Sequence, residues 1–229
     1  MTRPVFFANA LLSAALMAAL ACPVGFASAA GPKKKDTAKT ETKTTETKAE
    51  PTKDKTPSQE EMMAAMMKLA APGPEHAALN PLAGSWKTTV KSFAGPAGPM
   101  PQPQVSEGTC DRNWVMGGRY LVGNYKGNFN GMPFEGMEVL GYDNRKKQYV
   151  SSWVDNMGTG IMLSSGGAMD PATKSFTLTG SEKDPSSGQE MSMREVTNIV
   201  DGNTYTMTMF ASMGGQEQKV MEITYTRVK

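Results

Sequence analysis

The chain has 229 residues, with 24 Lys and Arg against 22 Asp and Glu, two cysteines and one histidine. Of the formal +2, Arg3 carries +1 and residues 31–57 carry +3, which leaves −2 for residues 58–229. A remainder without basic excess argues against nucleic acid as a partner, and one histidine is too few for histidine-based zinc catalysis.

Residues 1–30 read as a secretory leader: Arg3, the apolar run "VFFANALLSAALMAALACPVGF", then "ASAA" with small residues suited to cleavage after Ala29 or Ala30. The alternative is a membrane-anchoring helix, which the Pro23 and Gly25 break and the polar stretch beyond argue against. Cys22 in "ALAC" loosely fits a lipoprotein box, although Ala19 stands where such boxes carry leucine. The expected location is therefore outside the cytoplasm, in the periplasm, envelope or medium, with no membrane span in the mature protein. Residues 31–57 hold eight lysines, five acids and eight threonines, without an aromatic or branched aliphatic residue. Such a segment has almost no apolar surface to offset the entropy of ordering and is predicted to be a disordered linker. After cleavage only Cys110 remains, so residues 58–229 must fold as one domain on an ordinary core without a disulfide.

"PSQEEMMAAMMKLAAPG" predicts a short helix, with Ser58 as N-cap and Glu61 completing a capping box. Met62, Met66 and Leu69 share one of its faces, and "PEHAALNPL" follows as a second short turn or helix. Beyond residue 84 the period becomes two. In "WKTTVKS", Trp86, Thr88 and Val90 alternate with Lys87, Thr89 and Lys91, and runs of the same kind continue to "QKVMEITYTRV". Turn-forming stretches such as "FNGMP", "DNRKKQ", "VDGNT" and "MGGQ" separate them. Roughly ten consecutive strands with short connections predict an all-β, antiparallel up-and-down barrel, since closure removes the exposed edges of a long meander. The Pro/Gly-rich "GPAGPMPQPQ", residues 95–104, is expected to be a loop, because it cannot pair as a central strand.

A short helix followed by Gly84-Ser85-Trp86 at the head of the first strand resembles the lipocalin and wider calycin pattern. That resemblance implies that Trp86 closes one barrel end and that Arg227, in "ITYTRVK", packs over its ring, with Gly84 at the turn. The blocks "PGPEHAALNPLAGSW", "WVMGGRYL", "GMPFEGMEVLGYDNRKKQYVSSWVDNMGTGIM", "REVTNIVDGNT" and "KVMEITYTR" together resemble the bacterial family DUF1579, from about residue 58 onward. This resemblance implies a lipocalin-like barrel and no established activity.

Candidate sites follow from the alternation. Tyr149, Ser151, Trp153 and Asp155 share one strand face; Phe134, Glu138, Leu140 and Tyr142 share another; Met191, Met193 and Glu195 alternate with Ser192 and Arg194. If these faces point inward, they line an aromatic cavity holding a few carboxylates and hydroxyls, a composition typical of small-molecule sites. If they point outward, the carboxylates pair with surface lysines. The expected lining residues are Trp153, Tyr142, Tyr120 and Met193. Seventeen of the 19 methionines fall in residues 58–229. They suit an adaptable apolar core or cavity and, as the lesser alternative, Cu(I). His76 precedes the first strand, where a capping or packing role fits better than haem ligation. No serine stands in a nucleophile motif, and no cofactor is expected. The sequence therefore points to an exported, non-catalytic barrel for a small, largely apolar ligand; the alternative is a structural or interaction module at the cell envelope.

Overall fold

The computed structural model describes residues 56–95, 98–129, 131–184 and 187–229. The leader expected over 1–30, and all but the last two residues of the linker expected over 31–57, lie outside the described residues. Two helices come first, α1 (Gln59–Ala70) and α2 (Pro74–Ala77), then a 3₁₀ turn at Asn80–Leu82. The strands follow without a break: β1 (Gly84–Gly95), β2 (Gly98–Val115), β3 (Tyr120–Phe129), β4 (Met132–Asp143), β5 (Gln148–Asp155), β6 (Met162–Gly166), β7 (Ser175–Lys183), β8 (Glu190–Ile199), β9 (Thr204–Met213) and β10 (Gln216–Arg227). Each pairs antiparallel with its chain neighbours, and β1 pairs with β10, which closes the barrel.

Period-two patterning makes this closure work. Trp86, Thr88, Cys110, Leu121, Tyr125, Leu140, Tyr149, Phe176, Leu178 and Tyr205 are all buried inside, while their chain neighbours face outward. The β9–β10 connection shows the local chemistry: Gly214 and Gly215 both have positive φ (66° and 89°), the pair of conformations that matches the twist of a tight hairpin.

One end of the barrel is sealed. Trp86 is 1% exposed, its Nε1 donates to the Leu82 carbonyl at 3.0 Å, and the Tyr205 ring stands edge-on to it with centroids 4.7 Å apart. Arg227 lies over the indole, with Cζ 4.1 Å from the ring centroid. Its guanidinium donates to the carbonyls of Gly202, Ala83 and Pro81 at 2.8, 2.8 and 2.9 Å. Gly84, at φ 124°, lies against this guanidinium, and a Cβ there would collide with Arg227 Nη1.

One sequence expectation needs correction. Residues 98–104 of the Pro/Gly-rich stretch form strand rather than loop, with Gly95 opposite Gly98, Ala94 opposite Pro99 and Ser92 opposite Gln104. The prolines are tolerated because β2 pairs with β3 only from Gly108 onward, so the segment before it is an edge ribbon beyond the barrel wall. Helix α1 forms as expected, with its capping box at Ser58 and Glu61, yet it buries no residue. Its apolar positions stay open, Met66 at 58% and Met67 at 68% exposure, and Asn144 holds its C-terminal end by donating to the Leu69 and Ala71 carbonyls.

Candidate ligand-binding cavity

Above the Trp86 seal the barrel is hollow. A cavity of about 120 Å³ runs from Leu82, Leu140 and Tyr205 at the sealed end to Ser106 and Asn128 toward the other, where Asn128 is exposed. Its wall is mostly apolar and carries one aromatic cluster. Phe134 and Trp153 stack with centroids 6.3 Å apart, and Tyr125 meets them edge-on at 5.9 and 6.3 Å. Trp153 Nε1 donates to Asp155 at 2.8 Å. Gly136 makes room for that indole, since a Cβ there would run into the ring. Toward the unsealed end Met162, Met191, Met193 and Met209 pack with Ala211 and Val220 into a second apolar cluster. These methionines fill that cluster as adaptable apolar side chains, and Cys110 lies in the other cluster.

The polar part of the wall depends on register. Arg112 on β2 stands opposite Gly123 on β3, which stands opposite Glu138 on β4, which stands opposite Trp153 on β5. Because the intervening residue is glycine, the Arg112 side chain passes over β3, its Cγ 3.1 Å from where a Gly123 Cβ would stand. Arg112 Nη1 then meets Glu138 Oε2 at 2.5 Å, and Ser151 donates to Glu138 Oε1 at 2.9 Å. Burial works against the charge on Arg112, but Glu138 together with the smaller effects of Tyr205, Tyr225 and Cys110 outweighs it, so the guanidinium is held charged. The same guanidinium lies 5.9 and 5.7 Å from the ring centroids of Tyr205 and Tyr225, which stack on each other at 4.1 Å. The buried Arg112 Nε and Tyr205 hydroxyl have no hydrogen-bond partner among the described residues.

Glu195 on β8 faces the same cavity from across the barrel. Burial, reinforced by the negative charge of Glu138 and only partly offset by Arg112, pushes its carboxyl up to about 7. Protein surrounds this side chain almost completely, yet part of its surface stays accessible, because that surface is cavity wall.

Of the four residues expected to line a cavity, the structure brings one to it: Trp153. Tyr142 packs at the sealed end against Tyr149 and His76, with centroids at 5.2 and 5.9 Å. Tyr120 is 39% exposed, because it lies on the outward phase of β3, and Met193 belongs to the methionine cluster. His76 is buried below the barrel floor, where its Nδ1 accepts from the Gly73 amide at 3.1 Å and its ring stays away from the cavity. Sequence reasoning missed the part played by Arg112. Its one signal was its phase, since it alternates with Cys110 and Trp114 in "TCDRNWV". Among the described residues, no group of three or more His, Cys, Asp and Glu is placed to hold a metal ion, and no helix is long and apolar enough to cross a membrane.

A closed ten-stranded antiparallel barrel, sealed at one end by an indole and hollow above it, is a lipocalin-like barrel of the calycin kind. The chain belongs to the family described as "Protein of unknown function (DUF1579)", which matches residues 71–227. No curated protein matches it.

Proposed function

We propose that the barrel holds a small, largely apolar ligand in its interior without transforming it, and that it does so as an exported domain on a Lys/Thr/Glu-rich tether. The observation that carries this reading is the cavity itself, walled by the Tyr125, Phe134 and Trp153 rings and reaching the surface beside Asn128. A binding role is favoured over catalysis by the polar groups. The hydroxyl of Ser151 donates to Glu138, a carboxylate already tied to Arg112, and the one histidine faces away from the cavity. The leader-like residues 1–30 support export.

The test is native mass spectrometry of the purified chain, together with titration of an apolar fluorescent dye. The expected result is one dye per barrel, displaced by small hydrophobic competitors, with binding weakened by Trp153→Ala. A barrel that carries no adduct and takes up no dye overturns the reading.

A second reading, an interaction module at the cell envelope, is favoured by one observation: helix α1 leaves Met62, Met63, Met66 and Met67 between 49% and 68% exposed. Pull-down from envelope extracts, with and without residues 59–70, tests it; equal recoveries count against it.

A further inference from the structure

Glu195 is enclosed by protein, opens onto the cavity, and makes no hydrogen bond or ion pair among the described residues. The strands paired with β8 place Leu178 and Met209 opposite it. The charged groups that act on it across the interior are Arg112 from β2 and Glu138 from β4, and these already answer each other. The other buried titratable groups of this interior, Cys110, Tyr125, Tyr149, Tyr205 and Tyr225, are kept uncharged by burial. Among the described residues, the enclosed part of the cavity thus holds one ion pair and one acid without a partner; Glu107, which also lines the cavity, is exposed to solvent. An acid so placed either stays protonated or waits for a cation.

We propose that Glu195 recognises the head of the ligand, and that the cavity takes an aliphatic amine: one ammonium group on an apolar body. This deepens the binding function proposed above and rests on it. An ammonium beside Glu195 completes a set of two positive and two negative charges, so that the enclosed interior carries no net charge. The rings of Tyr125, Phe134 and Trp153 add π faces toward which a cation is drawn. A carboxylate ligand would have to displace Glu138 from Arg112 and would add a third acid to the interior. An alcohol would leave Glu195 protonated and gain one hydrogen bond. The cavity volume suits a ligand of on the order of ten non-hydrogen atoms.

Proton balance gives a distinctive signature. Below about pH 7 the free protein holds Glu195 protonated. When the ammonium binds, the carboxyl ionises and its proton goes to solvent, one proton released per ligand. Binding should therefore tighten about tenfold from pH 6 to pH 8, as the free carboxyl ionises.

The experiment is calorimetric titration of the full chain with 4-phenylbutylamine, 4-phenylbutanol, 4-phenylbutyrate and butylbenzene, at pH 6 and pH 8 in buffers of different ionisation enthalpy. The expected result is that the amine binds at least tenfold more tightly than the other three at pH 8, releases close to one proton at pH 6, and loses its advantage in Glu195→Gln. If all four ligands bind alike, or the butyrate binds best, the amine assignment is overturned while the apolar-ligand function stands. If none binds, both fall. The proton count and pH dependence are read on the unmutated protein, so the outcome does not depend on the variant folding.

Discussion

Arg112 and Glu138 form an ion pair across a strand that belongs to neither of them. Nη1 and Oε2 are 2.5 Å apart, and Gly123 of β3 lies between their strands in the same row. A buried pair of this kind adds little net stability once its desolvation is counted, yet breaking it is costly because one charge is stranded.

Gly123→Val should therefore act as a charge mutation without changing any charge. Its branched side chain would occupy the space of the Arg112 Cγ and Nε and force the guanidinium off Glu138. The expected loss is about 3 kcal/mol or more in urea unfolding at pH 7. Glu138→Gln in the same background should recover part of it, because the stranded carboxylate is then gone. A Gly123→Val protein as stable as the parent would show that the pair is not held by this crossing.

The sealed end makes a separate prediction. Arg227→Met removes three donors to the carbonyls of Gly202, Ala83 and Pro81 together with the cation above Trp86. Roughly 2–4 kcal/mol should be lost in chemical unfolding. Gly84→Ala should do comparable damage although it deletes nothing, because its Cβ falls on the guanidinium at a backbone conformation that favours glycine. Either variant unfolding with the parent's midpoint would argue that the seal contributes nothing.

The barrel and its strand count were legible in the sequence because alternation and turn residues are local signals. "WKTTVKS" through "QKVMEITYTRV" carry the period residue by residue, and "MGGQ" supplies the two positive-φ glycines its hairpin requires. The β1–β2 ribbon was hidden by its prolines, which forbid a central strand and permit the edge one that forms. The cavity was harder to read. Glu138, Ser151, Trp153 and Glu195 could each be assigned to the apolar phase of a strand. That Arg112 reaches Glu138 depends on the register of three strands and on an empty position at Gly123, neither of which is written locally. Tyr120 and Tyr142 were misplaced for the same reason. Composition marks an aromatic as inward-facing, but phase sends Tyr120 outside, and height along the strand takes Tyr142 to the floor.

The wall is unevenly stitched. Strand β6 has five residues and pairs with β7 through two residue pairs, Ser164–Gly180 and Ser165–Thr179, whereas β7 and β8 share nine. Fewer ladder bonds and outward Leu163 at 65% exposure leave this seam with little to hold it. In native-state hydrogen exchange, the amides of Met162–Gly166 should exchange at least tenfold faster than those of β8 and β9. Protection equal to that of β8 would mean that the short ladder does not weaken the wall.

Glu195 ties the cavity to stability through pH. Its carboxyl stands at about 7 in the folded chain, raised by burial, whereas an unfolded glutamate titrates near the ordinary value of 4.5. Between these two values the folded state keeps a proton that the unfolded state has released, so stability falls as pH rises through this window. The contribution is fully present below about pH 4.5 and is gone above about pH 7, a change of up to about 3 kcal/mol on that group alone. Glu195→Gln mimics the protonated form at every pH. It should match the parent near pH 4.5, exceed it at pH 8, and flatten the fall between. Urea unfolding midpoints taken at half-unit pH steps decide the matter. A parent and variant whose curves run parallel from pH 4.5 to 8 would show that Glu195 titrates as an ordinary solvated acid and that water reaches it freely. An apolar amine present in excess at pH 8 should raise the stability of the parent by more than that of Glu195→Gln, since only the ionised carboxyl gains a partner there.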